Sequence, residues 1–231
     1  MSLAGQQGIE SEKNTVVIMP YESREECYIE ELGEIKKKVI YSFFKRTLDI
    51  VFSLFALLLM IIPMAVIAFL IKCTSPGSIL YHQERLGLHG KKINVIKFRT
   101  MCEDAEKDGV QWSAGDKDPR ITPLGRFMRT THIDELPQFW CILKGDMSLV
   151  GPRPEREVYY DEFEQYIHGF RERLKVKPGL TGLAQVRGGY FLKPEKKILY
   201  DIEYIKNRSL WLDIKILFET VRVVLTREGA K

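Results

Sequence analysis

Residues 50–71 read IVFSLFALLLMIIPMAVIAFLI, 22 positions without a charge between Asp49 and Lys72. As a straight helix this run is about 33 Å long, enough to cross a hydrocarbon core of about 30 Å. It is not a signal peptide, because residues 1–44 ahead of it are mixed and polar and no small-residue cleavage site follows. Two details oppose simple spanning. Pro63 cannot donate to the carbonyl of Leu59 and its ring crowds that turn, which predicts a kink about two thirds of the way along. Basic residues also flank both ends: Lys36, Lys37, Lys38, Lys45 and Arg46 before, and Lys72, Arg85, Lys91, Lys92, Lys97 and Arg99 after. Positive flanks face the cytoplasm, so a spanning helix normally leaves one end poor in lysine and arginine. A helix bent at Pro63 that dips into one leaflet and returns satisfies both flanks. A lone proline is also tolerated in spanning helices, so these residues leave both arrangements open.

The chain divides accordingly into a polar extension over 1–44, a membrane helix over 45–72 and one compact domain over 73–231. At 231 residues, 45% hydrophobic and 29% charged, the composition is globular. The net charge of +4 is mild and no nucleic-acid signature accompanies it, which excludes a nucleic-acid partner and favours phosphate-bearing or membrane partners. Cys27, Cys73, Cys102 and Cys141 lie far apart without a CxxC pair, so free thiols are expected rather than a zinc or disulfide framework. The polar extension holds one strand-like run, NTVVIMP. In the domain, Ile79–Tyr81 and Ile93–Phe98 are predicted to pair as strands around a Gly87–Gly90 hairpin. The segment EDAEKDGVQWSAGDKDPR predicts a helix start and then a surface loop. Residues 155–175 and 194–225 carry apolar side chains at helical intervals and predict amphipathic helices. The expected class is helix-rich α/β with a small β-hairpin.

Within THIDELPQFWCILKGDMSLVGPRPE two carboxylates, Asp134 and Glu135, stand side by side. Thr130 or Thr131 is expected to cap a helix running toward Leu143, with both acids in or just before its first turn, where the helix dipole keeps them ionised. Acids at a helix start are common and by themselves structural. Their surroundings change that reading. Arg126 and Arg129 lie three apart, on one helical face. Lys97 and Arg99 alternate with Phe98 and so share one side of a strand. Arg153 sits between two prolines, a rigid presentation of a guanidinium. The glycine-punctuated KPGLTGLAQVRGG adds Lys177, Gln185 and Arg187 around Gly179 and Gly182, a pattern that is weak alone. Two acids amid fixed cations suit phosphate plus a divalent ion, since Mg²⁺ takes one or two carboxylates and shares phosphate oxygens.

From about Lys45 onward the chain resembles the monotopic phosphoglycosyl transferases, the bacterial sugar transferase family. The resemblance rests on KRTLDI leading into the proline-broken apolar helix, KFRTM, RITPLGRFMRTTHIDELPQFWCILKGDMSLVGPRPE, PGLTGLAQVRG and LWLDIKILFETVRVVLTREGA. It implies a re-entrant membrane helix kinked at Pro63, amphipathic helices at the interface, and a catalytic domain on the cytoplasmic face of the bacterial inner membrane. The implied reaction moves a sugar 1-phosphate from a UDP-sugar to polyprenyl phosphate, usually undecaprenyl phosphate, with release of UMP. Asp134 takes the place of the covalent nucleophile, Glu135 completes the dyad, and Mg²⁺ is required, with the two acids as its protein ligands. Arg129 leads the expected phosphate-binding cations, ahead of Lys97, Arg99, Arg126 and Arg153. Some members carry Ser-Pro at the helix break where Ile62 precedes Pro63 here, which leaves the bend angle open. The choice of sugar, the role of Glu135 and the oligomeric state, a homodimer included, are not legible. A carboxylate-pair hydrolase is disfavoured because adjacent acids cannot easily straddle one bond at the roughly 5–9.5 Å used by glycosidases. The arginines would also lack a purpose in a hydrolase. The third reading is a non-catalytic membrane adaptor, in which the acids are caps and the amphipathic helices are partner surfaces.

Overall fold

The uncharged run is the middle of a longer helix. In the computed structural model, which describes residues 26–36, 38–107, 118–188 and 192–226, helix α1 spans Val39–Thr74. Its 36 residues make about 54 Å of helix at 1.5 Å per residue. Pro63 lies inside it without ending it. Among the described residues this is the one helix long and apolar enough to cross a membrane, and most of its apolar side chains are exposed.

Both ends of α1 are fastened to the same domain. Near its start, Lys45 donates to the Asp213 carboxylate (2.8 Å) and the Val150 carbonyl (2.9 Å). The Arg46 guanidinium donates to the carbonyls of Ile142 (2.6 Å) and Leu143 (2.7 Å), satisfying the open C-terminal end of α3 (Gln138–Lys144). Buried Asp49 accepts from the Leu149 N–H (2.9 Å) and the Ser148 hydroxyl (3.1 Å). Toward its other end, Ile67 and Ile71 pack with Phe98 and Met128, and the Arg99 guanidinium holds the carbonyls of Ser75 (2.9 Å) and Pro76. Lys45, Arg46, Arg85, Lys97 and Arg99 therefore make protein contacts. They are not the free membrane-flanking charges that the basic flanks suggested.

The small-sheet expectation holds. Strands β2 (Leu80–Leu86) and β3 (Lys92–Phe98) pair antiparallel, from Leu80 opposite Phe98 to Leu86 opposite Lys92, and residues 87–90 turn between them. Two further two-stranded sheets are parallel: β1 (Cys27–Tyr28) with β5 (Ile167–His168), and β4 (Ser148–Val150) with β6 (Gly179–Thr181). Through β1, residues counted with the polar extension lie on the domain core, with Ile29 and Leu32 against it. Within the glycine-punctuated KPGLTGLAQVRGG, Gly179–Thr181 is strand β6 and Leu183–Gly188 is helical. Gly179 lies so close to Gly151 that a side chain would overlap the Gly151 backbone, which is why both positions are glycine.

Helices account for most of the rest: α2 (Pro123–Thr130), α3, α4 (Glu157–Glu164), α5 (Leu183–Gly188), α6 (Pro194–Asn207) and α7 (Leu210–Thr226). The helical pattern over 155–175 resolves into three pieces, α4, β5 and a 3₁₀ turn over Phe170–Lys175, because Gly169 adopts φ +94° between them. Residues 194–225 form two helices separated at Arg208 and Ser209. Residues 103–107 form turns rather than a helix start, while 108–117 and NTVVIMP lie outside the described residues. The four cysteines are free. The main core gathers Ile142, Met147, Phe163, Phe170, Ile198 and Ile205, with the Phe163 and Phe170 rings edge to face at 5.0 Å.

Candidate active site

The acid pair stands on a single 3₁₀ turn, Ile133–Glu135, just before helix α3 as one of the two expected placements had it, but threonine does not cap that helix. Thr130 ends α2 and Thr131 follows it, and their hydroxyls donate back to the carbonyls of Arg126 and Phe127 (2.9 Å each). His132 then takes a left-handed conformation (φ 57°), which turns the chain before α3 can begin at Gln138, after Pro137. In a 3₁₀ turn side chains at i and i+3 eclipse, so Ile133 and Leu136 fall on one side of the turn. They form one wall of an open apolar cleft of about 380 Å³, whose other wall is Met60, Ile62, Pro63, Val66 and Ile67 of α1.

Glu135 leaves the turn toward the opposite, charged side. Its two oxygens meet the Arg153 guanidinium as a fork, one at 3.3 Å, and Lys97 Nζ reaches the same carboxylate at 2.8 Å from β3. Burial alone would raise the Glu135 pKa, but Arg153 and Lys97 hold it well below the usual carboxylate range. Arg153 is stabilised as a cation chiefly by the Glu135 charge, while burial lowers the pKa of Lys97 despite Glu135. Asp134 is buried on the same turn and acts electrostatically on both Lys97 and Arg153.

A second layer fixes Arg153. Its carbonyl accepts from Arg173 (2.9 Å), a fully buried guanidinium that pairs with Asp201 at 2.6 Å and lies 4.9 Å over the Phe170 ring. Beside it Glu155 pairs with Arg85 (3.2 Å) and Lys197. Burial would raise the Glu155 pKa, yet Lys197, Arg85 and Arg173 lower it to about 2. Cations outnumber acids in this cluster, which suits an anionic ligand. Arg85, Arg173, Lys197 and Asp201 were not singled out by the motifs. The available signal was a charge in the apolar stripe of a helix: Asp201 falls between Ile198 and Ile205 on one face of α6.

The predicted cations divide. Lys97 and Arg153 meet Glu135. Arg129 lies on α2, with its Nε donating to the Thr100 hydroxyl at 2.9 Å. Arg126 is exposed on that helix. Arg99 is drawn to the end of α1, because the carbonyls of Ser75 and Pro76 there need donors. Gln185 donates to the nearby Leu180 carbonyl (2.9 Å) and Arg187 faces Glu219 at 3.8 Å, so the glycine-rich segment is structural in these contacts.

With an acid turn framed by fixed cations and an apolar helix, comparison with known proteins is decisive. The model of the family described as bacterial sugar transferase matches residues 40–227. The chain belongs to that family. Bacterial sugar transferases similar to it include the UDP-N-acetylgalactosamine-undecaprenyl-phosphate N-acetylgalactosaminephosphotransferase of Aeromonas hydrophila, 44% identical over 87% of this chain and 48% of the relative. The UDP-glucose:undecaprenyl-phosphate glucose-1-phosphate transferase of Escherichia coli K12 is 45% identical over 77% of this chain and 39% of the relative. A transferase of the same description from Caulobacter vibrioides is 43% identical over 80% of this chain and 71% of its own length. The chain spans about half the length or less of the first two relatives.

Proposed function

We propose that this bacterial sugar transferase moves a sugar 1-phosphate from a UDP-sugar to undecaprenyl phosphate, or a similar polyprenyl phosphate, at the cytoplasmic face of the inner membrane. One observation carries the reading: a single turn presents Ile133 and Leu136 to an apolar cleft on one side and Glu135 to a cation cluster on the other. A site for a water-soluble diphosphate and a membrane-anchored phosphate needs both environments within reach of one reactive group. Relatives named for such transfers support the choice of substrates.

Asp134 is assigned as nucleophile on the resemblance of the Asp134–Glu135 pair to the dyad of the family, and Glu135, whose two oxygens meet Arg153 and Lys97, takes the supporting place. A carboxylate oxygen of Asp134 attacks the β-phosphorus of the UDP-sugar, the bond to the bridging oxygen breaks, and UMP leaves with the electron pair. Lys97 and Arg153 hold negative charge near the reacting phosphoryl group. The acceptor phosphate then attacks the phosphorus of the sugar phosphate on Asp134 and restores the free carboxylate. Glu135 is a positioning residue that orders the two cations.

The residues fit a magnesium ion in a restricted way. Among the described residues no three acid, histidine or cysteine side chains gather, so the ion would be held by the carboxylate of Asp134 together with substrate phosphate oxygens, with the Glu135 carboxylate spent on Arg153 and Lys97. When bound there it supplies charge neutralisation of the diphosphate.

The monotopic arrangement belongs to the same proposal. Asp49 and Lys45 near one end of α1, and Ile71 and Ser75 at the other, all touch the same domain, which supports entry and exit of the helix on one face of the membrane. The exposed middle, with Leu54, Phe55, Leu58 and Ile61, is left to face lipid.

The test is UMP release from a panel of UDP-sugars by the full chain in nanodiscs, with and without undecaprenyl phosphate. The expected result is acceptor-dependent turnover with one preferred sugar, abolished in Asp134→Asn while the fold is kept. Release of free sugar phosphate without acceptor would make the protein a hydrolase, and no release from any donor would leave it an adaptor.

A further inference from the structure

The cleft under Pro63 has no part in the donor chemistry. All seven lining side chains are apolar, and its volume of about 380 Å³ lies in the range of small-molecule sites. Ile62 and Val66 are 73% and 52% exposed, so the cleft opens on the face where α1 presents its apolar side chains. Its other wall is made by Ile133 and Leu136, the residues that bracket Asp134 and Glu135 in the chain.

We propose, resting on the transferase reading above, that this cleft binds the first isoprenyl units of the acceptor lipid and so sets the reach of its phosphate to Asp134. The chemistry of the two walls selects the occupant. A polyprenyl phosphate joins an anionic head directly to a branched apolar tail, and here an apolar cleft and a cation cluster border one turn. A bulk phospholipid matches the cleft through an acyl chain, but its phosphate is a diester set apart from that chain by a glycerol unit. The volume admits only a short stretch of tail, and the rest of the polyprenyl chain continues into the surrounding lipid. Pro63 contributes a flat, rigid part of the wall, and as a proline it has no N–H to satisfy. Recognition is then read from the head-proximal end of the lipid. Tail length beyond the first few units should matter little.

Val66→Trp fills the cleft from α1. In nanodiscs, with the preferred UDP-sugar as donor, it should raise the KM for undecaprenyl phosphate about tenfold by displacing buried tail surface, while the KM for the UDP-sugar keeps its wild-type value. Ile61 lies on the opposite side of α1, about 180° from the centre of the lining residues at 100° each, so Ile61→Trp should leave the acceptor KM unchanged. An acceptor KM for folded Val66→Trp within twofold of wild type would overturn the proposal. Should that variant not fold, the wild-type chain decides. A polyprenyl phosphate with a diazirine on its first isoprenyl unit should crosslink to the Ile62–Ile67 or Ile133–Leu136 peptides, with undecaprenyl phosphate competing and phosphatidylglycerol not. Equal competition by phosphatidylglycerol, or crosslinks elsewhere, would assign the cleft to bulk lipid and overturn it. If wild type releases no UMP from any donor, the transferase reading falls, and the crosslinking still decides the cleft.

Discussion

Replacing Glu135 by glutamine keeps the shape of the side chain and removes the charge that holds Lys97 and Arg153 together. Those cations have side chains only 18% and 25% exposed, and Glu135 only 16%, so solvent screens the loss poorly. Breaking a buried pair by removing one partner costs about 3–5 kcal/mol, and the partial exposure here reduces that to about 2–3 kcal/mol. For a chain of this size about 1 kcal/mol moves the midpoint by about 2–4 °C, so Glu135→Gln should melt about 5–10 °C lower. The assay is thermal unfolding of the purified protein in one detergent at pH 7, followed by tryptophan fluorescence. Glu157→Gln is the control: its partner Lys92 is 55% exposed, and a surface pair of this kind contributes within about 0.5 kcal/mol. A midpoint for Glu135→Gln as close to wild type as that of Glu157→Gln would refute the claim that Glu135 organises the cation cluster. Activity should also fall severely, because the cations that face the phosphate lose their order.

Arg99→Ala should lower the melting temperature through loss of the Ser75 and Pro76 contacts while leaving the KM for the UDP-sugar within about twofold. A large rise in that KM would return Arg99 to the site. The Glu155 pKa is depressed to about 2 from about 4.3 in the unfolded chain, which contributes about 3 kcal/mol. That stability is present above pH 4.3 and is lost as pH falls toward 2. Acid unfolding of Lys197→Met should therefore begin at higher pH than wild type, and coincident acid limbs would contradict it. Cysteines placed at Ser42 and Thr74, in a background stripped of native thiols, should both resist an impermeant reagent on intact cells and react after lysis. Labelling of either from outside would reject the monotopic arrangement.

The sequence located the acid pair and two of its cations because their motifs are local. KFRTM sets Lys97 on a strand, and flanking prolines fix Arg153 beside it. It placed the acids just ahead of a helix, as found, but misread Thr130 or Thr131 as that helix's cap, because nothing local announces that His132 will turn left-handed and give the acids a turn of their own. Arg99 looked equivalent to Lys97 on alternation alone. Its partner is the end of α1, more than twenty residues away, which no pattern of period two reveals. Nor does a count of basic flanks reveal that Lys45, Arg46 and Arg85 are spent on carbonyls and carboxylates of the domain. The helical period over 155–175 was overridden by Gly169 and by the pairing of β5 with β1. Apolar alternation, by contrast, located the β2–β3 pair and its turn, since neighbouring strands need only a short connection, although β2 continues to Leu86 beyond the expected Ile79–Tyr81.

The central claim is that Asp134 carries the phosphosugar between donor and acceptor. Wild-type protein in nanodiscs would be mixed with the preferred UDP-sugar in the absence of acceptor, quenched within the first turnover, and examined by intact-protein and peptide mass spectrometry. The account predicts an adduct with the mass of the sugar phosphate on the peptide containing Asp134, absent in Asp134→Asn, formed with equimolar UMP and discharged on adding undecaprenyl phosphate. Full acceptor-dependent turnover with no adduct at any quench time, or an adduct on a peptide other than that of Asp134, would contradict it.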